Sequence, residues 1–405
     1  MSDNLRDRKL ATRATRGGYP LEVDEQLVNP PVARASTVLY TTVDEYVNRH
    51  DRFLDGVMYG GYGTSTTLAL AQSVATLEEA AHTVITSSGT SAIAHSIASV
   101  LTHGDHILVA DTVYGPTRRF VLSLEEFAGV TATFFNPGIG LSLSALARAN
   151  TKAVFLEAPG SATFEMIDVP AVVDAARSIN AVTLMDNSWA TPCCFQPLSH
   201  GVDVSIQSGS KYLSGHSDVV IGTVSVNDGA LYRAIKQSQA RWGDHASADD
   251  CYLALRGLRT LPLRLERHHA TAMALVQWLE RQPEVKRVLY PAVEGDPGYD
   301  LWRRDFSGAS GLFGVVVDAL SDESRDALFN GCELFKLGSS WGGFESLLVP
   351  AAPAPVRTCS TAPFDGDLLR IHAGLEDPED LIADLEAAFE RMRAARGRRQ
   401  AGGEP

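Results

Sequence analysis

Residues 183–222 read TLMDNSWATPCCFQPLSHGVDVSIQSGSKYLSGHSDVVIG. Two short runs, Val182 to Met185 and Val202 to Gln207, each end in reactive side chains. Asp186 follows the first, and Ser208-Gly209-Ser210-Lys211 follows the second. The pattern is strand, loop, strand, loop. In a parallel α/β sheet, ligands sit beyond the carboxyl ends of the strands. One acid, one lysine and two hydroxyls are therefore expected to converge on one crevice.

That set suits pyridoxal 5'-phosphate, which needs a lysine for its imine and a carboxylate to keep its ring nitrogen protonated. Small residues such as Ser208, Gly209 and Ser210 let backbone and hydroxyls approach a phosphate. An isolated Asp/Lys pair would more commonly be a turn cap and a solvated ammonium. Two further stretches weigh against that. Ser87-Ser88-Gly89-Thr90 sits where a strand turns into a helix, and the free N–H groups of a helix start bind phosphate, although Ser and Thr there also serve as ordinary caps. Arg370 is flanked by Leu368, Leu369 and Ile371. An arginine in that setting is partly buried and suited to gripping a carboxylate with two parallel hydrogen bonds.

Bulk properties exclude other classes. The chain has 405 residues, 45% of them hydrophobic, and a net charge of −14. More than one domain is expected. The acidic balance argues against a nucleic-acid or anionic-membrane surface. No apolar run approaches the ~20 residues of a membrane span. The start, MSDNLRDRKLATRATRGG, has no apolar segment of a secretory signal. Five scattered cysteines (193, 194, 251, 332, 359) have no metal-type spacing. The expectation is a cytoplasmic protein with structural thiols and no metal. No GxGxxG or Walker loop appears.

Residues 1–63 lack sustained periodicity and carry Gly17-Gly18, Pro20 and Pro30-Pro31, with a short helix expected around Val43 to His50. They read as an arm packing on something else, ending in the Gly- and Tyr-rich MYGGYGTST. Alternating strands and helices over 64–259 predict a mostly parallel sheet with helices on both faces. Strands are expected at Thr131 to Phe135 and Ala153 to Glu157. The stretch from Asp249 reads as a long helix broken or kinked near Pro262, with Arg256, Arg259, Arg264 and Arg267 on a solvated or interface face. Residues 260–405 read as a smaller α+β domain, with strands at Val285 to Tyr290, Gly311 to Val317 and Cys332 to Lys336. An amphipathic helix then trails into a basic, Gly-rich tail.

MDNSWATP and SGSKYLSGHSDVVIGTVS, at this separation, closely resemble the Cys/Met-metabolism family of pyridoxal-phosphate enzymes. The resemblance runs almost from end to end and is nearest to the bacterial cystathionine β-lyases. It implies the fold-type I, aspartate aminotransferase-like architecture and a homotetramer, a dimer of dimers with shared active sites. The implied substrate is a small amino acid and the implied reaction is β-elimination at a C–S bond of cystathionine. Other family chemistries (γ-lyase, γ-replacement synthase, a β-lyase for another S-substituted cysteine) are the alternatives. The resemblance further implies that Lys211 carries the cofactor, Asp186 holds the ring nitrogen and Tyr114 stacks on the ring. It assigns Gly89, Thr90, Ser208 and Ser210 to the phosphate, with Tyr59 reaching it from a neighbouring subunit. Arg370 is implied to bind the substrate carboxylate with Ser340 orienting it. A Ser-Trp pair, here Ser340-Trp341, resembles the β-lyases, whereas γ-lyases and γ-synthases more often have Ser-Leu.

Two positions depart from the family pattern. Gly61 stands where members usually carry an arginine that pairs with the phosphate, making Arg34 and Arg52 of the same arm candidates to replace it. Ala240 stands where β-lyases often have an aromatic in the distal pocket.

Overall fold

The computed structural model describes residues 5, 7–17, 27–352, 357–359 and 365–401, without the side chains of 397–401. Gly18, Pro20 and the last four residues of the tail lie outside the described residues.

The chain folds as α/β around a seven-stranded sheet. Its strands are β1 (His82–Thr86), β2 (His106–Ala110), β3 (Thr131–Phe135), β4 (Thr151–Glu157), β5 (Val182–Asp186), β6 (Val204–Ser208) and β7 (Gly222–Val226). The order is β1-β7-β6-β5-β4-β2-β3. Only β7 runs against its neighbours, β1 and β6. All other pairs are parallel. The sequence HILVA of β2 is buried at every position, as a strand covered on both faces requires. Because six strands share one direction, the carboxyl ends of β1, β2, β4, β5 and β6 open onto the same edge of the sheet.

A second sheet is antiparallel throughout, in the order β10-β11-β9-β8. Its strands are β8 (Val285–Leu289), β9 (Leu312–Val317), β10 (Leu347–Ala351) and β11 (Asp367–His372). Apolar side chains of both sheets belong to one buried cluster that runs from Val109 and Phe155 to Phe313 and Ile371, which fixes the C-terminal domain against the large sheet.

Several local expectations are corrected. Cys332 to Lys336 is not a strand: the N–H groups of Glu333, Leu334 and Phe335 all donate to the Asp384 carboxylate, at 2.8, 2.8 and 2.9 Å. Three successive amides aimed at one side chain cannot also serve a sheet ladder, and Lys336 makes only an isolated bridge to Leu347. The break expected near Pro262 is present: the stretch forms two helices, Ala248–Leu258 and Leu261–Leu279, with Pro262 in the first turn of the second, where its missing N–H costs nothing. Arg264 is not on a solvated face. It is buried and donates to the carbonyls of Tyr212 at 2.8 Å and Gly257 at 2.8 Å. The helix in the arm is shorter than expected, Val43–Val47, followed by a tight turn over Arg49–Arg52. Among the described residues no helix is long and apolar enough to cross a membrane, and no group of three His, Cys, Asp or Glu could hold a metal ion.

Candidate active site

Asp186 is the last residue of β5 and is 8% exposed. Its Oδ1 accepts the Ser188 N–H at 2.9 Å. Glu157 ends β4 at the position paired with Asp186. Its Oε2 accepts the Tyr114 N–H at 2.6 Å. Burial pushes the Asp186 carboxyl up. It pushes Glu157 up further, with the neighbouring Asp186 adding to the effect. Two carboxyls side by side in a dry site do not both ionise.

Past Ser208 the chain turns tightly, the Lys211 N–H donating to the Ser208 carbonyl at 3.1 Å. The turn delivers Nζ of Lys211 onto the Ser340 hydroxyl, 5.3 Å from the centre of the Trp341 ring. Burial, and then the Arg370 charge, bring the Lys211 pKa down to about 8, against the pull of Asp186. Arg264, through the carbonyl of Tyr212, secures the residue that follows the lysine.

At the other end of the crevice the helix Gly89–Val100 begins. The Ser88 side chain caps it, accepting the Ser91 N–H at 3.0 Å. The Gly89 and Thr90 amides precede the first intrahelical bonds and point out of the helix start. A Cβ on Gly89 would lie 2.6 Å from Cβ of Ser208, so no larger residue fits there. The Ser208 N–H donates to Ser188 Oγ at 2.7 Å. The Ser210 hydroxyl donates to the Ile221 carbonyl at 3.1 Å and accepts the Ile221 N–H at 2.9 Å, tying the lysine loop to the approach of β7.

The second sheet supplies the facing wall. Arg370 lies within β11, and its Nη2 donates to the carbonyls of Gly338 at 3.0 Å and Ser340 at 3.2 Å. Burial lowers its pKa. Gly342, at φ +90°, lies so close to Lys211 and Tyr212 that a Cβ would meet their backbone at 2.9 Å. These pieces enclose a cavity of about 650 Å³ lined by Gly89, Thr90, Asp186, Ser208, Ser210 and Lys211 on one side and Ser340, Trp341 and Arg370 on the other. Tyr114, 45% exposed, stands at its mouth.

Tyr59 does not line this cavity. It is 48% exposed and precedes the turn Gly60–Tyr62. Arg34 is held by Asp249 through two bonds, at 2.9 and 2.5 Å. The Arg52 guanidinium lies 5.6 Å from the Tyr40 ring centre. Among the described residues, the lysines and arginines lining the cavity are Lys211 and Arg370 alone. Sequence reasoning missed Ser188, which links Asp186 to Ser208. Its place two residues beyond a strand-end aspartate, where such a side chain bonds backbone, was the available signal.

The donor set therefore offers a depressed lysine, a buried carboxylate, a helix start and an arginine around one space. The comparisons agree. Residues 11–390 match the Cys/Met metabolism PLP-dependent enzyme family. A putative cystathionine β-lyase of Rhizobium johnstonii is 43% identical over 95% of this chain and 97% of its own. The cystathionine β-lyase of Escherichia coli K12 is 39% identical over 96% and 100%. The crystal structure of a cystathionine γ-synthase from Xanthomonas oryzae pv. oryzae, in complex with aminoacrylate and cysteine, superposes with a TM-score of 0.87. It is 30% identical and covers 96% of this chain and 99% of that one. With a matching family over nearly the whole chain, the same fold and a lysine, carboxylate and helix start in one cavity, the protein belongs to the Cys/Met-metabolism family of pyridoxal-phosphate-dependent enzymes.

Proposed function

We propose that this protein is a carbon–sulfur β-lyase acting on cystathionine or a related cysteine S-conjugate. The observation that carries the reading is the convergence of Lys211, Asp186 and Arg370 on one cavity of about 650 Å³. The β-assignment is supported by 39–43% identity to cystathionine β-lyases and by the Ser340-Trp341 pair.

The residues fit pyridoxal phosphate. Lys211 would be the covalent attachment point, and the Asp186 carboxylate would keep the ring nitrogen protonated. The Gly89 and Thr90 amides with Ser208 would receive the phosphate, where the 2.6 Å Cβ approach at Gly89 leaves room for nothing larger than a hydrogen. Ser210 acts on the phosphate end by fixing the loop. Tyr114 would cover the ring from the mouth. The bound cofactor supplies an electron-withdrawing ring that makes the substrate α-proton acidic. Arg370 grips the substrate carboxylate, with Gly338 and Ser340 carbonyls holding its guanidinium in place. Once the substrate amine has displaced it from the cofactor, Lys211, with a pKa of about 8, would accept the α-proton at Nζ near neutral pH, with Ser340 steadying that amine. The Cβ–S bond then breaks with its electrons leaving on sulfur as a thiolate. What remains is released as pyruvate and ammonia after addition of water.

The reading also places the arm, residues 1–63, against a second copy that completes the phosphate site with Tyr59. It is supported by the exposure of Leu39, Val43 and Val47, at 90%, 80% and 61%, apolar surface of a kind that marks an interface. The cofactor domain (64–259) and C-terminal domain (260–405) share the site within one chain. The test is product analysis with cystathionine. Pyruvate and homocysteine support a β-lyase, and 2-oxobutyrate with cysteine would replace it by a γ-lyase.

A further inference from the structure

Asp244 stands where the helix Gly229–Trp242 ends. Gly243, at φ +68°, takes the left-handed conformation that stops a helix and turns the chain back. The Asp244 N–H closes that turn on the Gln239 carbonyl at 3.1 Å. The turn aims the Asp244 side chain, 10% exposed, at the junction between β1 and the helix Gly89–Val100. There the carboxylate accepts the Ser87 N–H at 3.2 Å and the Ser87 hydroxyl. Its Oδ2 also lies 3.6 Å from Nε2 of His95, a buried residue in the second turn of that helix, whose Nδ1 faces Ser238 Oγ at 3.1 Å. Burial works against ionisation of Asp244, but the bonds from His95 and Ser87 outweigh it and hold the carboxyl well below the ordinary carboxylate range.

One carboxylate thus grips the chain on both sides of Ser88, Gly89 and Thr90, the residues of the helix start that line the cavity. Ser87 lies immediately before them and His95 beyond. From behind, Thr86 Oγ1 donates to the Ser88 carbonyl at 2.9 Å. Gly222 of β7 packs so closely that a Cβ there would lie 2.2 Å from the Ser88 carbonyl oxygen. Gln239, from the same helix end as Asp244, donates its Nε2 to the Ile85 carbonyl of β1. Binding groups must be held to within ~0.5 Å of their working position by the bonds behind them, and backbone amides have no rotamer with which to adjust. A carboxylate close to a site for an anion also repels the anion, so a neutral side chain would serve that site better on charge alone. What the carboxylate adds is geometric: it only accepts, and it takes several donors at once.

We propose that Asp244, backed by His95, is the positioning residue that aims the Gly89 and Thr90 amides at the cofactor phosphate. In this role it touches neither the phosphate nor the reacting atoms, and acts through Ser87 and through the body of the helix. The inference rests on the reading of this helix start as the phosphate site.

The experiment titrates the full-length apo-protein with pyridoxal phosphate and, separately, with pyridoxal, each followed by its absorbance. Both ligands offer Lys211 the same aldehyde, and only one offers a phosphate. Asp244→Ala should raise the dissociation constant of pyridoxal phosphate ~10-fold or more, the size expected when a charge-assisted hydrogen bond supporting a binding group is lost. The constant for pyridoxal should stay at the native value. Asp244→Asn keeps an acceptor for Ser87 and should give a smaller shift in the same direction. Should Asp244→Ala not fold, Asp244→Asn and Ser87→Ala, which removes the hydroxyl and keeps the N–H bond, carry the same comparison. The proposal is overturned if neither constant moves, or if both rise together, as a general loosening of the fold would make them. It is also overturned if an Asp244 variant binds pyridoxal phosphate more tightly, which would make Asp244 a repelling charge. A different result, native protein that binds pyridoxal as tightly as pyridoxal phosphate, would remove the phosphate reading itself and the proposal with it.

Discussion

Lys211 and Ser340 touch through Nζ and Oγ although 129 residues separate them in the chain. One belongs to the loop after β6 and the other to the loop before β10. The Ser340 carbonyl also accepts Arg370 Nη2 at 3.2 Å. The proposed base and the proposed carboxylate grip are thus joined through one serine, and displacing either domain moves both.

The depressed amine gives a first prediction. The lysine's neutral form is the nucleophile, and its pKa is brought to about 8 by burial and by the Arg370 charge. Reconstitution of apo-protein with pyridoxal phosphate should therefore accelerate as pH rises through 8 and level off above it. Stopped-flow absorbance measures this. A rate still climbing steeply past pH 10, the range of an ordinary lysine, would show that Nζ is not desolvated.

Arg370→Lys keeps the charge and loses the planar fork. The guanidinium uses one nitrogen on two carbonyls and leaves other donors for a substrate. A charge-assisted hydrogen bond is worth ~1.5–3 kcal/mol, so kcat/KM should drop more than ~10-fold. Unchanged kinetics would make the arginine a support for the 338–340 loop only.

The strands of the large sheet, the lysine loop and the helix start at Ser88 were legible because each carries a local signal: an apolar run, a Gly/Ser turn, a cap. Arg264 was misread because a helical stripe of arginines looks the same whether it faces water or backbone carbonyls. What it meets is the turn after Lys211, about 50 residues away in sequence. Cys332 to Lys336 looked extended, and its amides were claimed by Asp384, on a helix that no local pattern connects to it. The Asp111–Thr358 contact spans 247 residues and has no local signature at either end. Side chains that serve distant backbone are the class that one-dimensional periodicity leaves unread.

Glu78 sets a pH dependence of stability. It is fully buried, with Oε1 taking the Ser205 hydroxyl at 3.0 Å and the Gln207 amide. Burial raises its pKa to about 7. An acid with a raised folded pKa binds more protons folded than unfolded. Its contribution is fully present below about pH 4.5 and is lost as pH rises through 7. The loss amounts to at most ~3 kcal/mol. Glu78→Gln keeps the shape without the titration, so its urea midpoint should gain on the native protein between pH 5 and pH 8. A constant gap between the two midpoints across that range would remove Glu78 as the titrating group.

The proposed role of the arm at the phosphate leads to a prediction at Gly61. In the proposed site the chain's own cavity would offer the phosphate amides and serines, and among the described residues the lysines and arginines that line it are Lys211 and Arg370, which the proposal assigns to the chemistry. Arg34 is engaged with Asp249, a pair whose side chains are 70% and 50% exposed, and such a pair is worth little. It could be released toward a partner's phosphate at small cost. Arg52 lies beside Tyr40. A phosphate with close to two charges in a partly dry site gains from any added cation, so Gly61→Arg should tighten cofactor binding by the apo-protein. The new Cβ would meet Cε1 of Tyr59 at 2.9 Å, and the exposed ring can swing aside. Titration of apo-protein with pyridoxal phosphate measures the effect. If Arg34→Ala and Arg52→Ala each leave the dissociation constant unchanged while Gly61→Arg lowers it, helix amides and serines hold the phosphate alone in the native protein. If Arg34→Ala or Arg52→Ala weakens binding, that arginine supplies the replacement charge across the interface. If Gly61→Arg has no effect, the arm does not bring residue 61 to the phosphate, and the role proposed for Tyr59, two residues before it, falls with it.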